Sequence, residues 1–197
     1  MTDADSPRPA TAVDQRSGKR ERLVHAATEL LHQQGVERTT LADIAKAADV
    51  PVGGVYYYFK TKDDVVSAVI GAHVQQITKT LAQLEADDPA PRNRLKALIN
   101  RFVSESVTIA RFGCPLGSLC SELDKRDGEP GPAAELMRVP VAWAEEQFRA
   151  LGRDDAHELA LELMAAYEGH ALLANTLRDP GILTTAADRL NRWIDTL

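Results

Sequence analysis

Two Thr-x-x-Asp sequences, at residues 40–43 and 61–64, mark the part of the chain that most constrains its fold, because each predicts where a helix begins. In each one the hydroxyl and the carboxylate can satisfy free amides at a helix N-terminus. Between them, Pro51 is suited to the first turn of a further helix. That helix, at residues 52–59, must then be short. The spacing predicts a compact group of short helices followed by a longer one.

Apolar residues recur at helical spacing along the rest of the chain, and no stretch alternates as a β-strand does. Gly35 is placed to end the first helix, and Pro140 predicts a kink in a later one. We therefore expect an all-α fold. The predicted helices, about nine in number, cover residues 17–34, 40–48, 52–59, 61–84, 92–111, 116–124, 133–151, 154–178 and 185–196, with an exposed loop at 127–132.

The composition predicts a soluble globular protein of the cytoplasm. Apolar residues make up 44% of the chain and charged residues 26%, enough for a sizeable core. The two cysteines cannot build a disulfide framework or a four-thiolate zinc site, which is typical of a reducing compartment. Residues 1–16 are polar and predict a flexible tail, not a signal peptide. In residues 159–177, Glu162 and Glu168 interrupt the apolar run, so we expect no membrane span.

Charge is unevenly distributed along the chain. Residues 16–62 contain eight basic and five acidic side chains, a net charge of plus three, within a chain whose net charge is −6. A basic head on an acidic body is typical of a DNA-binding segment attached to a regulatory domain, although chance clustering would give the same pattern.

The predicted third helix has an unusual exposed face. Steps of 100° per residue place Val52, Val55 and Phe59 towards the first two helices. The opposite side carries Gly53, Gly54 and Tyr57, flanked by two more tyrosines. Each glycine costs about 1 kcal/mol of helix stability relative to alanine, which favours a helix that presses its backbone against another surface. Tyrosine hydroxyls can meet phosphates, and Lys60 and Lys62 follow directly.

These residues resemble the DNA-binding domain of the TetR family of one-component transcriptional regulators. The resemblance covers residues 17–73 and is carried by residues 39–45 and by the run Tyr-Tyr-Tyr-Phe-Lys-Thr-Lys at 56–62. It implies an all-helical homodimer whose larger C-terminal domain binds a small molecule and then releases the operator. It also implies DNA contacts at Thr40, Gly53, Tyr56, Tyr57 and Lys62.

Three residues depart from the family pattern. Pro51, Val52 and Gly54 replace polar residues that are common at these positions, which disfavours direct hydrogen bonds to bases. We expect sequence discrimination through close backbone approach, with Val52 and a tyrosine ring touching thymine methyl groups. Residues 16–22 are expected to follow adjacent phosphates or a narrow minor groove.

The predicted domains are a tail (1–16), a DNA-binding domain (17–73, with the helix-turn-helix at about 40–59) and a helical effector-binding and dimerisation domain (74–197). We expect a ligand-responsive repressor that binds a palindromic double-stranded operator as a homodimer. The alternative is a helical small-molecule or thiol-redox sensor with weak DNA affinity. No nucleophile motif or phosphate-binding loop is present, so an enzyme is not expected, and no cofactor is indicated.

Dimerisation is predicted from residues 159–177, which are apolar nearly all round and therefore suited to burial on two sides. A four-helix dimer bundle with the last helix is the natural arrangement. The predicted interface residues are Leu159, Leu163, Leu190, Trp193 and Ile194.

A ligand cavity is predicted from aromatic, sulfur-containing and polar residues of the C-terminal part, each of which taken alone is more typical of ordinary core, but which together supply the apolar walls and few polar points of a pocket. They are Phe102, Phe112, Cys114, Cys120, Met137, Trp143, Met164, Tyr167 and His170. Cys114 precedes a helix start, which would favour a reactive thiolate. The pairs Glu29/His32 and Asp154/His157 have the spacing of metal ligands, but no facing carboxylates are evident, so we expect no metal site.

Overall fold

The computed structural model describes residues 12–123 and 131–197, with side chains from residue 18 onward, and this part of the chain is helical, without β-strands. The all-α prediction is confirmed. The helices are α1 (Ala12–Arg38), α2 (Leu41–Ala47), α3 (Val52–Tyr58), α4 (Lys62–Asp87), α5 (Pro91–Val103), α6 (Ser106–Phe112), α7 (Pro115–Leu123), α8 (Ala134–Ala150), α9 (Ala156–Leu177) and α10 (Gly181–Thr196). None of these helices combines the length and hydropathy that a membrane span requires.

The first helix differs from its prediction at both ends. It begins at Ala12, which corrects the tail predicted for residues 1–16, and residues 1–11 lie outside the described part. Gly35 interrupts the helix as predicted, with a φ of +84° that favours glycine, but helical backbone then resumes as far as Arg38. The C-terminal end of the helix therefore forms a separate short segment after the break.

The helix predicted for residues 92–111 is two helices, α5 and α6, which meet at Ser104 and Glu105. The Ser104 hydroxyl donates to the carbonyl of Arg101 at 2.7 Å, a local bond that competes with continued helix. The described helices therefore exceed the predicted number by one. Helix α8 continues through Pro140, and the loop predicted at 127–132 lies mostly outside the described residues.

Both predicted capping boxes are present. Thr40 accepts a hydrogen bond from the amide of Asp43, and Thr61 accepts one from the amide of Asp64, with each carboxylate returning a bond to the cap residue. The Thr40 hydroxyl and amide hold the pKa of Asp43 below its usual range, and the amides of Thr61 and Lys60 do the same for Asp64. These boxes fix the starts of α2 and α4 on either side of α3.

One core joins the N-terminal helices to the C-terminal part. Leu23, Ile44 and Val55 are fully buried among α1 to α4, and Leu119 of α7 and Leu136 of α8 belong to the same cluster. A second core lies among α4, α5, α8, α9 and α10. Helix α4 contributes to both, so it connects the short N-terminal helices mechanically to the rest of the molecule.

Candidate functional site

Helix α3 presents a broad exposed face at the N-terminal end of the molecule. Val55 and Phe59 are buried against the neighbouring helices, whereas the side chains of Tyr56 and Tyr57 are 49% and 62% exposed. Val52 is 46% exposed, so its predicted place on the inner side is wrong. The outward position leaves Val52 available to contact a base, as the thymine-methyl prediction requires.

The two glycines of α3 differ in their surroundings. A Cβ on Gly53 would meet nothing within 4 Å, whereas a Cβ on Gly54 would lie 3.0 Å from Cγ1 of Val50. Gly53 therefore leaves room for an approaching surface and has no packing role. Gly54 lets the turn before α3 pack closely, which accounts for glycine there without any ligand.

The Lys62 ammonium group is engaged within the protein, and its predicted contact with DNA stays a prediction. Its Nζ donates to the carbonyls of Val36 and Glu37, at 2.9 and 3.2 Å. The side chain thus satisfies carbonyl groups at the end of α1, where a cation is favourable. Lys60 is exposed, and its Nζ donates to the carbonyl of Tyr56 at 2.5 Å, beside the tyrosine face.

Two arginines fix α1 against the helix-turn-helix. The Arg20 guanidinium lies over the Phe59 ring, 5.5 Å from its centroid, and Arg22 Nε donates to the carbonyl of Ala48 at 3.3 Å. Two residues of the predicted phosphate-contacting segment at residues 16–22 therefore also hold α1 against the helix-turn-helix.

An apolar cavity of about 140 Å³ lies between α4, α5, α6, α7, α8 and α9. The rings of Phe102 and Tyr167 stack in its wall, with centroids 4.3 Å apart. Arg101 and Glu105, at the cavity's exposed edge, form an ion pair at 3.1 Å. The lining residues are Gln76, Ile77, Thr80, Leu81, Leu98, Arg101, Phe102, Glu105, Ile109, Cys114, Pro115, Leu116, Pro140 and Tyr167.

Of the nine predicted ligand residues, the structure brings Phe102, Cys114 and Tyr167 together in this cavity. The other six lie elsewhere, because helical periodicity does not show which side of the core a residue faces. Phe112 packs edge-on against His32, Trp143 donates to Glu85, and His170 bonds within its own helix. The remaining three, Cys120, Met137 and Met164, are not among the lining residues.

Cys114 lies in a cluster of polar side chains at the inner wall of the cavity. Its thiol donates to Glu168 at 3.2 Å, and the Tyr167 hydroxyl lies 3.8 Å from Sγ. Burial and the nearby Glu168 raise the pKa of Cys114 to about 12, and burial also raises the pKa of Glu168 and of Tyr167. The predicted activation of this thiol by the helix start is therefore wrong, because desolvation outweighs it.

The histidines of the two metal-like pairs are engaged in other contacts. His32 Nε2 donates to the carbonyl of Gly113 at 2.8 Å, and His157 Nδ1 lies 2.9 Å from a carboxylate oxygen of Glu145. Among the described residues, no group of three His, Cys, Asp or Glu side chains is arranged to hold a metal ion.

Three of the predicted interface residues belong to the molecule's own core. Leu163 and Ile194 are fully buried and Leu159 is nearly so, all within the second core, so their assignment to a dimer interface is wrong. Leu190 and Trp193 are half-buried beside the same core. The exposed apolar side of α9 instead carries Leu161, Leu172, Leu173 and Leu177.

Two residues that join the two parts of the molecule, Glu122 and His32, were not predicted from the sequence to have this role. Glu122 of α7 accepts a hydrogen bond from the amide of Val36, and His32 of α1 bonds Gly113, next to the cavity. Glu122 and Gly113 both lie in residues 113–123. The only sequence signal for them is the unusual composition of that segment, which does not show what they contact. Their partners are more than 80 residues away.

A short exposed helix that follows α2 and a tight turn, with its inner side anchored in a three-helix core, defines the chain as a helix-turn-helix DNA-binding protein. Residues 23–69 match the family described as "Bacterial regulatory proteins, tetR family". The DNA-binding helices of the chain therefore match those of the TetR family of transcriptional regulators.

Relatives extend the similarity beyond the DNA-binding helices. The chain is 26% identical over 188 residues to the HTH-type transcriptional regulator TtgR of Pseudomonas putida, covering 90% of this chain and 88% of TtgR. It is 25% identical over 167 residues to the HTH-type transcriptional repressor DhaR of a Mycobacterium species, covering 80% and 82%. The crystal structure of the regulatory protein TetR from Rhodobacter sphaeroides superimposes with a TM-score of 0.75 at 25% identity, covering 88% of this chain and 97% of that one.

Proposed function

We propose that this protein is a ligand-responsive transcriptional repressor that binds a palindromic operator as a homodimer and is released by a small molecule. The observation that carries the proposal is the course of α4. This helix begins at Lys62, after a short connection from α3, and its residues Gln76, Ile77, Thr80 and Leu81 line the cavity. A ligand in the cavity would therefore touch the helix that positions the exposed α3 face. The description of DhaR as a repressor supports the same role.

The cavity favours a small, uncharged and largely apolar effector. Its volume of about 140 Å³ is close to the roughly 150 Å³ cavity that holds one benzene molecule in another protein. Cys114 and Tyr167 supply polar atoms that stay neutral, because burial raises the pKa of both. Arg101 and Glu105 neutralise each other, so no uncompensated charge is available to hold an ionic group.

The exposed side of α9 is the proposed dimer interface. Leu161 and Leu172 lie on this side, with the small exposed residues Ala165 and Gly169 between them at helical spacing. Small residues flanked by leucines let two helices pack closely, and burying these side chains would stabilise a twofold dimer. In such a dimer two α3 helices could reach successive major grooves.

Selection from a library of random DNA duplexes tests the proposed function. We expect the full chain to enrich a palindromic site and to bind it as a dimer, measured by fluorescence anisotropy over a range of salt concentrations. Uncharged p-cresol should weaken this binding at concentrations where benzoate, a charged aromatic compound of similar size, does not. Failure to enrich any site would contradict the proposed DNA-binding role, and equal effects of the two compounds would contradict the proposed effector class.

A further inference from the structure

Residues 35–37, at the end of α1, are held from two sides by charged side chains. The amide of Val36 donates to Oε2 of Glu122 on α7 at 2.7 Å. The carbonyls of Val36 and Glu37 accept from Nζ of Lys62, the first residue of α4. One short segment thus contacts both the C-terminal part of the molecule and the helix that follows α3.

Gly35 makes the contact with Glu122 sterically possible. Its φ is +84°, and a Cβ at this position would lie only 2.8 Å from Oε1 of Glu122. The Gly35 carbonyl accepts from the hydroxyl of Thr39 at 2.7 Å, and Thr39 is fully buried just before α2. Hydrogen bonds therefore connect Glu122, through residues 35 and 36, to Thr39 at the start of the helix-turn-helix.

A second contact joins α1 to the wall of the cavity. His32 Nε2 donates to the carbonyl of Gly113, and the amide of Gly113 donates to the carbonyl of Ile109 at 2.8 Å. Ile109 and Cys114, on either side of this turn, line the cavity. The turn between α6 and α7 therefore faces the cavity on one side and α1 on the other.

Helix α7 connects the two contacts. Leu116, in its first turn, lines the cavity, and Glu122 lies near its other end. Because the helix has only nine residues and Leu119 anchors it in the first core, a displacement of Leu116 moves Glu122 relative to Val36. Weakening that bond loosens the segment that Lys62 holds, and with it the start of α4.

We propose that Glu122 and His32 are the residues through which occupation of the cavity alters the position of α3, an inference that rests on the proposed function. Glu122 holds the chain at the Gly35 break through the amide of Val36, and His32 links α1 to the turn at Gly113. Neither side chain is among the residues that line the cavity or the exposed α3 face.

The test fills the cavity with protein side chains, so that no effector has to be known. Leu98→Phe and Ile109→Phe each place a larger side chain into the cavity. Each is combined with Glu122→Ala or His32→Ala, and with two matched controls, Ser121→Ala beside Glu122 and His25→Ala on the exposed side of α1. Operator affinity is measured for the full-length chains, together with their melting temperatures and dimer content.

We expect either cavity-filling substitution to lower operator affinity at least tenfold in the parent and in both controls. The same substitution should lower it less than threefold after Glu122→Ala or His32→Ala, because the path is already broken. Glu122→Gln, whose amide oxygen can still accept from Val36, should restore most of the response. Equal responses in all backgrounds, or no response to either cavity-filling substitution in the parent, would overturn the proposal.

A second measurement separates this inference from the proposed function. Cavity filling should accelerate hydrogen exchange of the Val36 amide at least threefold in the absence of DNA, and Ser121→Ala should not change that effect. Unchanged exchange overturns the inference even where an operator is bound. A chain that shows the accelerated exchange but enriches no DNA supports the inference and contradicts the proposed function.

Discussion

Gly53 lies on the exposed face of α3 with open space where a side chain would project, while the neighbouring Gly54 is already close to Val50. Two adjacent glycines therefore have different physical reasons to be glycine. Only Gly53 reports directly on how closely the helix approaches another surface, because a methyl group there disturbs nothing within the protein.

Gly53→Ala should stabilise the free protein and weaken operator binding. The methyl group adds about 1 kcal/mol of helix propensity and meets no protein atom within 4 Å. We expect at least a tenfold loss of operator affinity by fluorescence anisotropy, with a raised melting temperature. Gly71→Ala is the matched control, because Gly71 is also an exposed helical glycine with open surroundings, but in α4. Equal affinities for Gly53→Ala and the parent would contradict close approach of the backbone.

Glu168 should make the protein less stable as the pH rises. Burial raises the pKa of this carboxyl, so the folded state binds its proton more tightly than the unfolded state. The contribution of Glu168 to stability is therefore highest below the ordinary pKa of 4.5 and falls as the pH rises through the raised value. Glu168→Gln should remove this dependence and raise the melting temperature at pH 7 by about 2–4 °C, a shift that corresponds to about 1 kcal/mol.

Glu162→Gln is the matched control for the pH dependence, since Glu162 is exposed on the same helix. A melting temperature that depends on pH equally in the parent and in Glu168→Gln would show that the Glu168 carboxyl is not the source.

At the scale of the helices, the caps of α2 and α4 set the orientation of α3 between them. Each cap is a threonine hydroxyl bonded to the third amide of its helix, with an aspartate that bonds back. The start of α4 matters most, because it follows α3 after a short connection.

Thr61→Ala should destabilise the protein by about 1 kcal/mol, the usual cost of losing an N-terminal cap. Thermal unfolding at pH 7 measures the loss. Thr78→Ala is the control, because Thr78 lies within the same helix and bonds only the carbonyl of Val74. The pKa of Asp64 is lowered by the amides of Thr61 and Lys60, so its contribution is present at neutral pH and is lost as the pH falls below about 3.8. The difference between Thr61→Ala and the parent should therefore shrink in acid, and a constant difference would contradict it.

The boundaries that the sequence predicted correctly depend on local chemistry. The Thr-x-x-Asp boxes and the Gly35 break involve residues within one turn of each other, so their signals are complete in a short stretch. The split between α5 and α6 was missed because the Ser104 hydroxyl bonds its own backbone, which no periodicity shows. The contacts of Lys62 within the protein were missed because its partners, Val36 and Glu37, lie about 25 residues earlier.

The remaining errors concern which surface buries an apolar residue, because an apolar pattern shows that a residue is buried but not what it packs against. An apolar pattern predicted that α9 is buried but could not separate its own core from a partner's surface. Leu163 therefore appeared suited to an interface, although it is fully enclosed. The same ambiguity dispersed the predicted ligand residues, of which Phe102, Cys114 and Tyr167 meet at the cavity.

At the scale of the whole molecule, the exposed leucines of α9 are predicted to form the dimer interface. Leu172→Glu places a charge at a side chain that is 66% exposed in the single chain. We expect the dimer to dissociate at micromolar concentration and operator affinity to fall at least tenfold, measured by light scattering and anisotropy. Val107→Glu is the control, because Val107 is 72% exposed but belongs to α6 and not to the leucine side of α9. A stable dimer of Leu172→Glu would place the interface elsewhere.

The core shared by α1, α7 and α8 determines how this protein can be recombined with others. A chimaera joined after residue 73 would pack Leu119 and Leu136 of one parent against α1 to α4 of another. The hydrogen bond between Glu122 and the amide of Val36, next to Gly35, would then join residues from different parents. The N-terminal helices and the C-terminal part of the molecule are therefore not interchangeable modules. Exchange of operator specificity should transplant the α3 surface alone, leaving the buried side of α1 and its long-range partners in their original context.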